Sequence, residues 1–188
     1  MDNQETSRTQ GPATQDLLRA PNVEAFILTD DGVFPNNRSL PLLVYRKVLS
    51  LDAPDLIAQV RATLAGNGWG GSWVNGIFDY HHYHSTSHEV LAICGGRAEV
   101  RFGGEHGITL TLVAGDVVVI PAGVAHKSLG AGDDLVVVGA YPRGQEGYDM
   151  CCKRDERPHA DLNIVNVRTP ESDPLYGPEG ALTEHWRP

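Results

Sequence analysis

Between Ser72 and Tyr141 the chain is interrupted every few residues by a glycine-containing turn: Gly95-Gly96, Gly103-Gly104, Gly115-Asp116, Ala122-Gly123 and Gly130 to Asp133. Short β-prone segments lie between these turns, Val117 to Ile120 and Leu135 to Ala140 among them. Regular spacing of this kind signals an antiparallel sandwich or barrel. A parallel sheet would need a crossover helix between successive strands, and nothing in this stretch has the length or the period for one. The core is therefore expected to be all-β.

The flanks read differently. Residues 1 to about 20 are rich in Gln, Thr, Asn and Gly without an apolar period, which predicts a flexible N-terminal tail (1–20). The remaining residues, 21–188, fit one domain with a barrel core at about 72–141. Val23 to Leu28 and Leu42 to Val48, the latter opened by Pro41, are expected as strands preceding the barrel. From Asp52 to Gly66 the period becomes helical, with Leu56, Ile57, Val60 and Leu64 on one face, Asp52 as N-cap and Asp55 three residues on. After Pro142 the prolines Pro158, Pro170, Pro174, Pro178 and Pro188 leave room only for short helix, near Ala160, in a tail that wraps the barrel.

Charge narrows the partners. The formal charge is -9, from 24 acidic against 15 basic residues, and no Lys/Arg run forms the basic stripe that a nucleic acid requires. No apolar stretch approaches the ~20 residues that span a bilayer, and the first ten residues are polar, so a cytoplasmic protein without a membrane partner is expected. Three cysteines, Cys94, Cys151 and Cys152, are read as reduced thiols without a catalytic role.

The chemistry concentrates in Tyr80 to Glu89, which holds four of the eight histidines. On a strand His82 and His84 share a face, and a turn through Ser85 to Ser87 can return Glu89 beside them. Two imidazoles and a carboxylate are donors suited to iron, manganese, nickel or zinc.

These residues resemble the two motifs of the cupin superfamily. The first motif asks for Gly, five residues, His-x-His, three or four residues, Glu, six residues and Gly. Gly76, His82, His84, Glu89 and Gly96 occupy its fixed positions. The second asks for Gly, five residues, Pro-x-Gly, two residues, His, three residues and Asn; Gly115, Pro121, Gly123 and His126 fit, and Gly130 stands where Asn is expected. That Asn is not a metal ligand in the family, so the departure concerns turn geometry only. The resemblance implies a double-stranded β-helix (jelly-roll) barrel, with the one helix flanking it and an irregular C-terminal tail. It also implies His126 as fourth ligand beside His82, His84 and Glu89 for one divalent transition metal (Fe, Mn, Ni or Zn, with Fe favoured). Such a set leaves about two positions open on a six-coordinate ion, which is what a catalytic site needs.

Strand parity sorts the remaining candidates. His81 is expected to point outward and His88 to lie opposite Glu89 or in the turn. Phe78 and Tyr80 are expected inward, making Tyr80 a second catalytic candidate after Glu89. Leu91 and Ile93 should form an apolar floor, and Ser128 should face the same cavity. The run Tyr141 to Gln145 is expected at the mouth of the cavity, with Arg143 read as a solvated arginine. The favoured function is an oxygen-using, dioxygenase-like oxidoreductase acting on a small molecule. A metal-assisted isomerase or lyase is the alternative: the stretch His81-His82-x-His84 with Glu89 resembles dimethylsulfoniopropionate lyases, although Val90 and Leu91 stand where those enzymes carry a Tyr. A non-catalytic metal- or ligand-binding cupin is the third reading. Uncovered strands outside the barrel point to a homodimer.

Overall fold

The computed structural model describes residues 17–187. The glycine-punctuated segments form strands β1 (Val23–Leu28), β2 (Asn37–Tyr45), β3 (Trp69–Asn75), β4 (Glu89–Gly95), β5 (Arg97–Phe102), β6 (Ile108–Val113), β7 (Val117–Ile120), β8 (His126–Ala131) and β9 (Val136–Pro142). They make a six-stranded sheet ordered β1-β2-β7-β4-β9-β3 and a three-stranded sheet ordered β6-β5-β8. Every pairing is antiparallel. The expected jelly-roll architecture is therefore present.

Between the sheets lies an apolar core in which Leu91, Ile93 and Val118 of the large sheet meet Val100, Phe102 and Leu112 of the small one. The opposite face of the large sheet is also covered: Val90, Ala92 and Val119 pack with Val60 and Leu64 of helix α1 (Leu56–Gly66) and with Leu182 and Trp186 from the C-terminal segment. Burial on both faces explains why β4 reads as a continuous apolar run instead of an alternating one. At the turn into β5, Gly96 has φ 66, and a Cβ there would lie 2.7 Å from Leu135 N and 2.8 Å from the Asp134 carbonyl, so only glycine fits.

Three boundaries differ from expectation. β2 starts at Asn37, upstream of Pro41, and ends at Tyr45. Pro41 is tolerated inside it because the register with β1 is interrupted between Phe26 and Leu28, where no ladder bond needs its missing N–H. Helix α1 starts at Leu56, and its N-cap is Asp55, with φ 48 and no side-chain cap bond, instead of Asp52. Pro54 restricts the residue before it to extended conformations, which delays the helix. Its apolar face is Leu56, Val60 and Leu64, while Ile57 is exposed. β3, the first strand of the expected barrel core, begins at Trp69, three residues before Ser72.

Leu18 pairs with Leu49, and Leu17 and Leu18 pack on the outer core, so the expected flexible tail stops short of them; residues 1–16 of it lie outside the described residues. The C-terminal segment wraps the large sheet as expected, with short helices α2 (His159–Ile164) and α3 (Ala181–His185). Buried Asp173 fastens it: its carboxylate accepts from the backbone N–H groups of Leu175 (2.8 Å), Tyr176 (3.0 Å) and Leu182 (3.0 Å), and from the Tyr45 hydroxyl. A buried carboxylate is stable only when so satisfied. No helix among the described residues is long and apolar enough to cross a membrane.

Candidate metal centre

His82 and His84 lie in an extended segment anchored on both sides. His82 exchanges backbone hydrogen bonds with His126 (3.2 and 2.9 Å), and Tyr83 does so with Cys151 (both 2.9 Å). Side-chain alternation sends Tyr83 into a small core with Phe34 and Ala160, and His82 and His84 to the opposite side. Glu89 opens β4 in the large sheet and His126 opens β8 in the small one, so the centre lies where the two sheets meet. The imidazole centroids are 4.2 Å apart for His82–His126, 5.9 Å for His82–His84 and 6.4 Å for His84–His126. All four side chains are buried.

The hydrogen bonds behind these rings decide their tautomers. Each Nδ1 faces a backbone carbonyl: Tyr80 for His82 (3.1 Å), Asp149 for His84 (2.5 Å) and Val124 for His126 (3.3 Å). A carbonyl only accepts, so each Nδ1 carries the proton and each Nε2 presents a lone pair, the arrangement typical of metal-ligating histidines. Nε2 of His84 and of His126 stand 3.5 and 3.4 Å from Glu89 Oε2, an oxygen that is buried and has no hydrogen-bond partner. Two donors ~2.1 Å from one tetrahedral ion are about 3.4 Å apart, so these spacings suit a shared ion. No three His, Cys, Asp or Glu side chains among the described residues already stand as a metal-holding group. What fits the ion is the donor chemistry: lone pairs converging on an unpartnered carboxylate oxygen.

The electrostatics agree for His82 and Glu89, and for His84 they set a proton in competition with the ion. Burial pushes the His82 imidazole down to about 3, helped by the neighbouring His126, which keeps it a neutral donor. For Glu89, burial works against ionisation but is outweighed by the closeness of the His126 and His84 rings, so its carboxyl is held well below the usual range. For His84, burial is likewise outweighed, by Glu89 and the Asp149 backbone, and its pKa is raised.

A cupin domain model matches residues 73–138 of the chain. The uncharacterized protein YjlB of Bacillus subtilis is 40% identical over 164 residues, covering 87% of this chain and 96% of the relative. The chain belongs to the cupin superfamily. Among solved structures, this cupin is similar to acireductone dioxygenase from Bacillus anthracis with a cadmium ion in its active centre (19% identity, TM-score 0.36, 47% of this chain and 60% of that one). It is also similar to an uncharacterized double-stranded β-helix protein from Klebsiella pneumoniae (13% identity, TM-score 0.36, 82% and 99%) and to the lyase DddQ from Ruegeria pomeroyi (17% identity, TM-score 0.34, 70% and 51%).

His82, Glu89 and His126 open into a cavity of about 240 Å³, whose walls include Trp73, Phe78, Leu91, Tyr141 and Tyr148. Leu91 and Ile93 face between the sheets as expected, although only Leu91 lines the cavity. Tyr80 does not supply the expected inward hydroxyl. It is 45% exposed and stacks on Phe78, with centroids 5.0 Å apart. The chain bends at Asp79 and Tyr80, so strand parity does not extend back across them from His82. The tyrosine beside the carboxylate is Tyr141 on β9, whose hydroxyl donates to Glu89 Oε1 at 3.0 Å and accepts from Trp73 Nε1 at 2.9 Å. The Trp73 indole reaches there by crossing Gly139, where a Cβ would come within 2.1 Å of the ring.

Other candidates fall outside the centre. His81 points away from it, stacked near Phe34 with Nε2 3.2 Å from Glu105 Oε1. His88 is buried against Trp186, and its Nδ1 accepts from the Ala122 N–H at 2.9 Å. Ser128 is buried but does not line the cavity, and Arg143 is exposed and away from it. The cysteines are free thiols. Asp149 was not singled out in the sequence, yet its carboxylate accepts from Ser85 N (2.7 Å), Ser85 Oγ (2.5 Å) and Thr86 N (3.2 Å) while its carbonyl holds His84. It fixes the turn that joins the His pair to Glu89.

Proposed function

We propose that this cupin is a metal-dependent enzyme acting on a small molecule, with one divalent ion held by His82, His84, Glu89 and His126. The observation that carries the reading is the unpartnered, buried Glu89 Oε2 facing two imidazole lone pairs at the floor of a cavity that opens to the surface. Bound iron would supply oxygen-activating redox chemistry, which makes an oxygen-using oxidoreductase the favoured activity. The chain's own part is to hold the three imidazoles by their Nδ1 hydrogen bonds, to orient the carboxylate through Tyr141, and to line the approach with aromatic side chains.

One observation favours a second reading, a metal-assisted isomerase or lyase. The Tyr141 hydroxyl lines the cavity and donates to Glu89 Oε1 at 3.0 Å, which puts an exchangeable proton beside the centre. Elemental analysis of anaerobically purified protein followed by oxygen-uptake screening separates the two. Bound iron with substrate-dependent oxygen uptake supports the oxidoreductase. Bound zinc or nickel with oxygen-independent product supports the isomerase or lyase. Ligand binding without turnover would leave a non-catalytic binding cupin and sink both.

A further inference from the structure

The cavity is selective in its composition. Among the described residues its walls contain no lysine, arginine or aspartate, and Glu89, at the floor, is the one carboxylate lining it. Two aromatic pairs flank the histidines. Tyr141 and Tyr148 stack with centroids 4.3 Å apart, and Tyr148 lies 4.6 Å from His84. Phe78 and Tyr80 stack with centroids 5.0 Å apart, and Phe78 lies 5.3 Å from His82. One or both members of each pair line the cavity, together with Trp73, Leu91 and Met150. Flat aromatic faces and a polarisable thioether favour a planar apolar guest. A volume of about 240 Å³ lies below the ~300–1,000 Å³ of sites for drug-sized ligands, so the guest is small, on the scale of a single ring.

Charge decides the rest. An ionised group on the substrate is tolerated at the floor, where a divalent ion would neutralise it. A second ionised group, away from the floor, would lose part of its hydration to half-exposed walls that offer no cation among the described residues, and loss of hydration without a partner charge is unfavourable. We infer that the substrate of this cupin has a single metal-directed donor end and an otherwise uncharged, aromatic or conjugated body. This rests on the metal-centre reading above.

Calorimetric titration with probes of matched size tests it. On metal-loaded protein, 4-methylbenzoate presents one anionic end and terephthalate presents two, whichever way it enters. We expect terephthalate to bind at least tenfold more weakly. Asn75 lines the cavity, and its side chain caps only the adjacent Gly76 N–H. Asn75→Lys should therefore supply the missing cation and narrow the gap to less than threefold without changing metal content. Phe78→Ser, at a half-exposed position that does not endanger the fold, should weaken 4-methylbenzoate several-fold. Terephthalate binding as tightly as 4-methylbenzoate, or neither probe binding, would overturn the inference. If elemental analysis finds no metal, the centre itself is refuted, and chelator-treated protein then decides the substrate class. Tighter binding of 4-methylphenol than of terephthalate supports the class, and equal or reversed affinities overturn it.

Discussion

Tyr141 donates its phenolic hydrogen to Glu89 Oε1 at 3.0 Å, joining neighbouring strands β9 and β4 and leaving Glu89 Oε2 as the oxygen that faces His84 and His126. Partners of this kind fix ligand orientation, and their loss typically lowers metal affinity ~10–100-fold. Tyr141→Phe keeps the ring stack on Tyr148 but removes the donor and leaves the Trp73 N–H without its acceptor. Competition with a chelator should show a drop of that order, and denaturation a loss of about 1–3 kcal/mol. Tyr80→Phe should change neither, because the Tyr80 side chain is half-exposed and its ring stacks on Phe78. Equal effects of the two substitutions would remove Tyr141 from its positioning role.

Buried neutral histidines set the pH response of the metal-free protein. Burial holds His88 at about 3, opposed weakly by the Arg168 carbonyl, and holds His82 at about 3. Both lie below the unfolded value near 6.5, so the unfolded chain binds the extra proton first and stability falls as pH drops from about 6.5 toward 3. His84, whose pKa is raised, acts in the opposite sense, adding stability at low pH that is lost as pH rises through its folded value. His81 is lowered by burial as well, so three groups against one leave a net decline, at most ~1.4 kcal/mol per pH unit for each group in excess. Urea midpoints of chelator-treated protein at pH 7 and pH 5 should show it. His88→Asn should flatten the slope by one group; an unchanged slope would mean that His88 is protonated or solvated in the native state.

How far these features were legible in the sequence follows from the range of the forces involved. Local rules suffice for the strands, for the shared face of His82 and His84, and for the return of Glu89, because period-two alternation and turn residues act over a few positions. The same rule failed at Tyr80, since a bend at Asp79 and Tyr80 breaks the alternation that was carried back from His82. Tyr141 meets Glu89 only through the pairing of β9 with β4, a contact across 52 positions of chain, so the sequence could place it at the cavity mouth but not on the carboxylate. Asp149 and Tyr148 come from an irregular segment without any period. The late start of α1 was the most readable miss, because Pro54 already forbids helical backbone at Ala53.

Strand edges point to assembly. β2 is enclosed between β1 and β7, so of the two strands outside the minimal barrel β1 is the one whose edge no described strand pairs with, and it presents Ile27 with 52% exposure. Exposed apolar edges recruit partners. We expect at least a dimer by light scattering at micromolar concentration, and a shift to monomer in Ile27→Lys, which places a charge on that edge. A wild-type monomer would rule out pairing through β1.

Metal stoichiometry is the most direct check of the centre. Elemental analysis should find about one divalent ion per chain, with His82→Ala and His126→Ala each lowering occupancy, since each removes a nitrogen donor whose lone pair is presented by a fixed tautomer. Glu89→Gln is the sharper variant. It keeps size and a carbonyl oxygen that can still accept from Tyr141, but it replaces a charged donor with a neutral amide, so it tests charge rather than packing. Without the carboxylate the set offers three neutral imidazoles, and both metal affinity and any turnover should fall. Retention of metal and rate in Glu89→Gln would mean that three histidines suffice. Full occupancy in His82→Ala and His126→Ala would mean that the ion, if present, lies elsewhere. Loss in all three, with Tyr80→Phe unaffected, is the pattern a four-ligand centre requires.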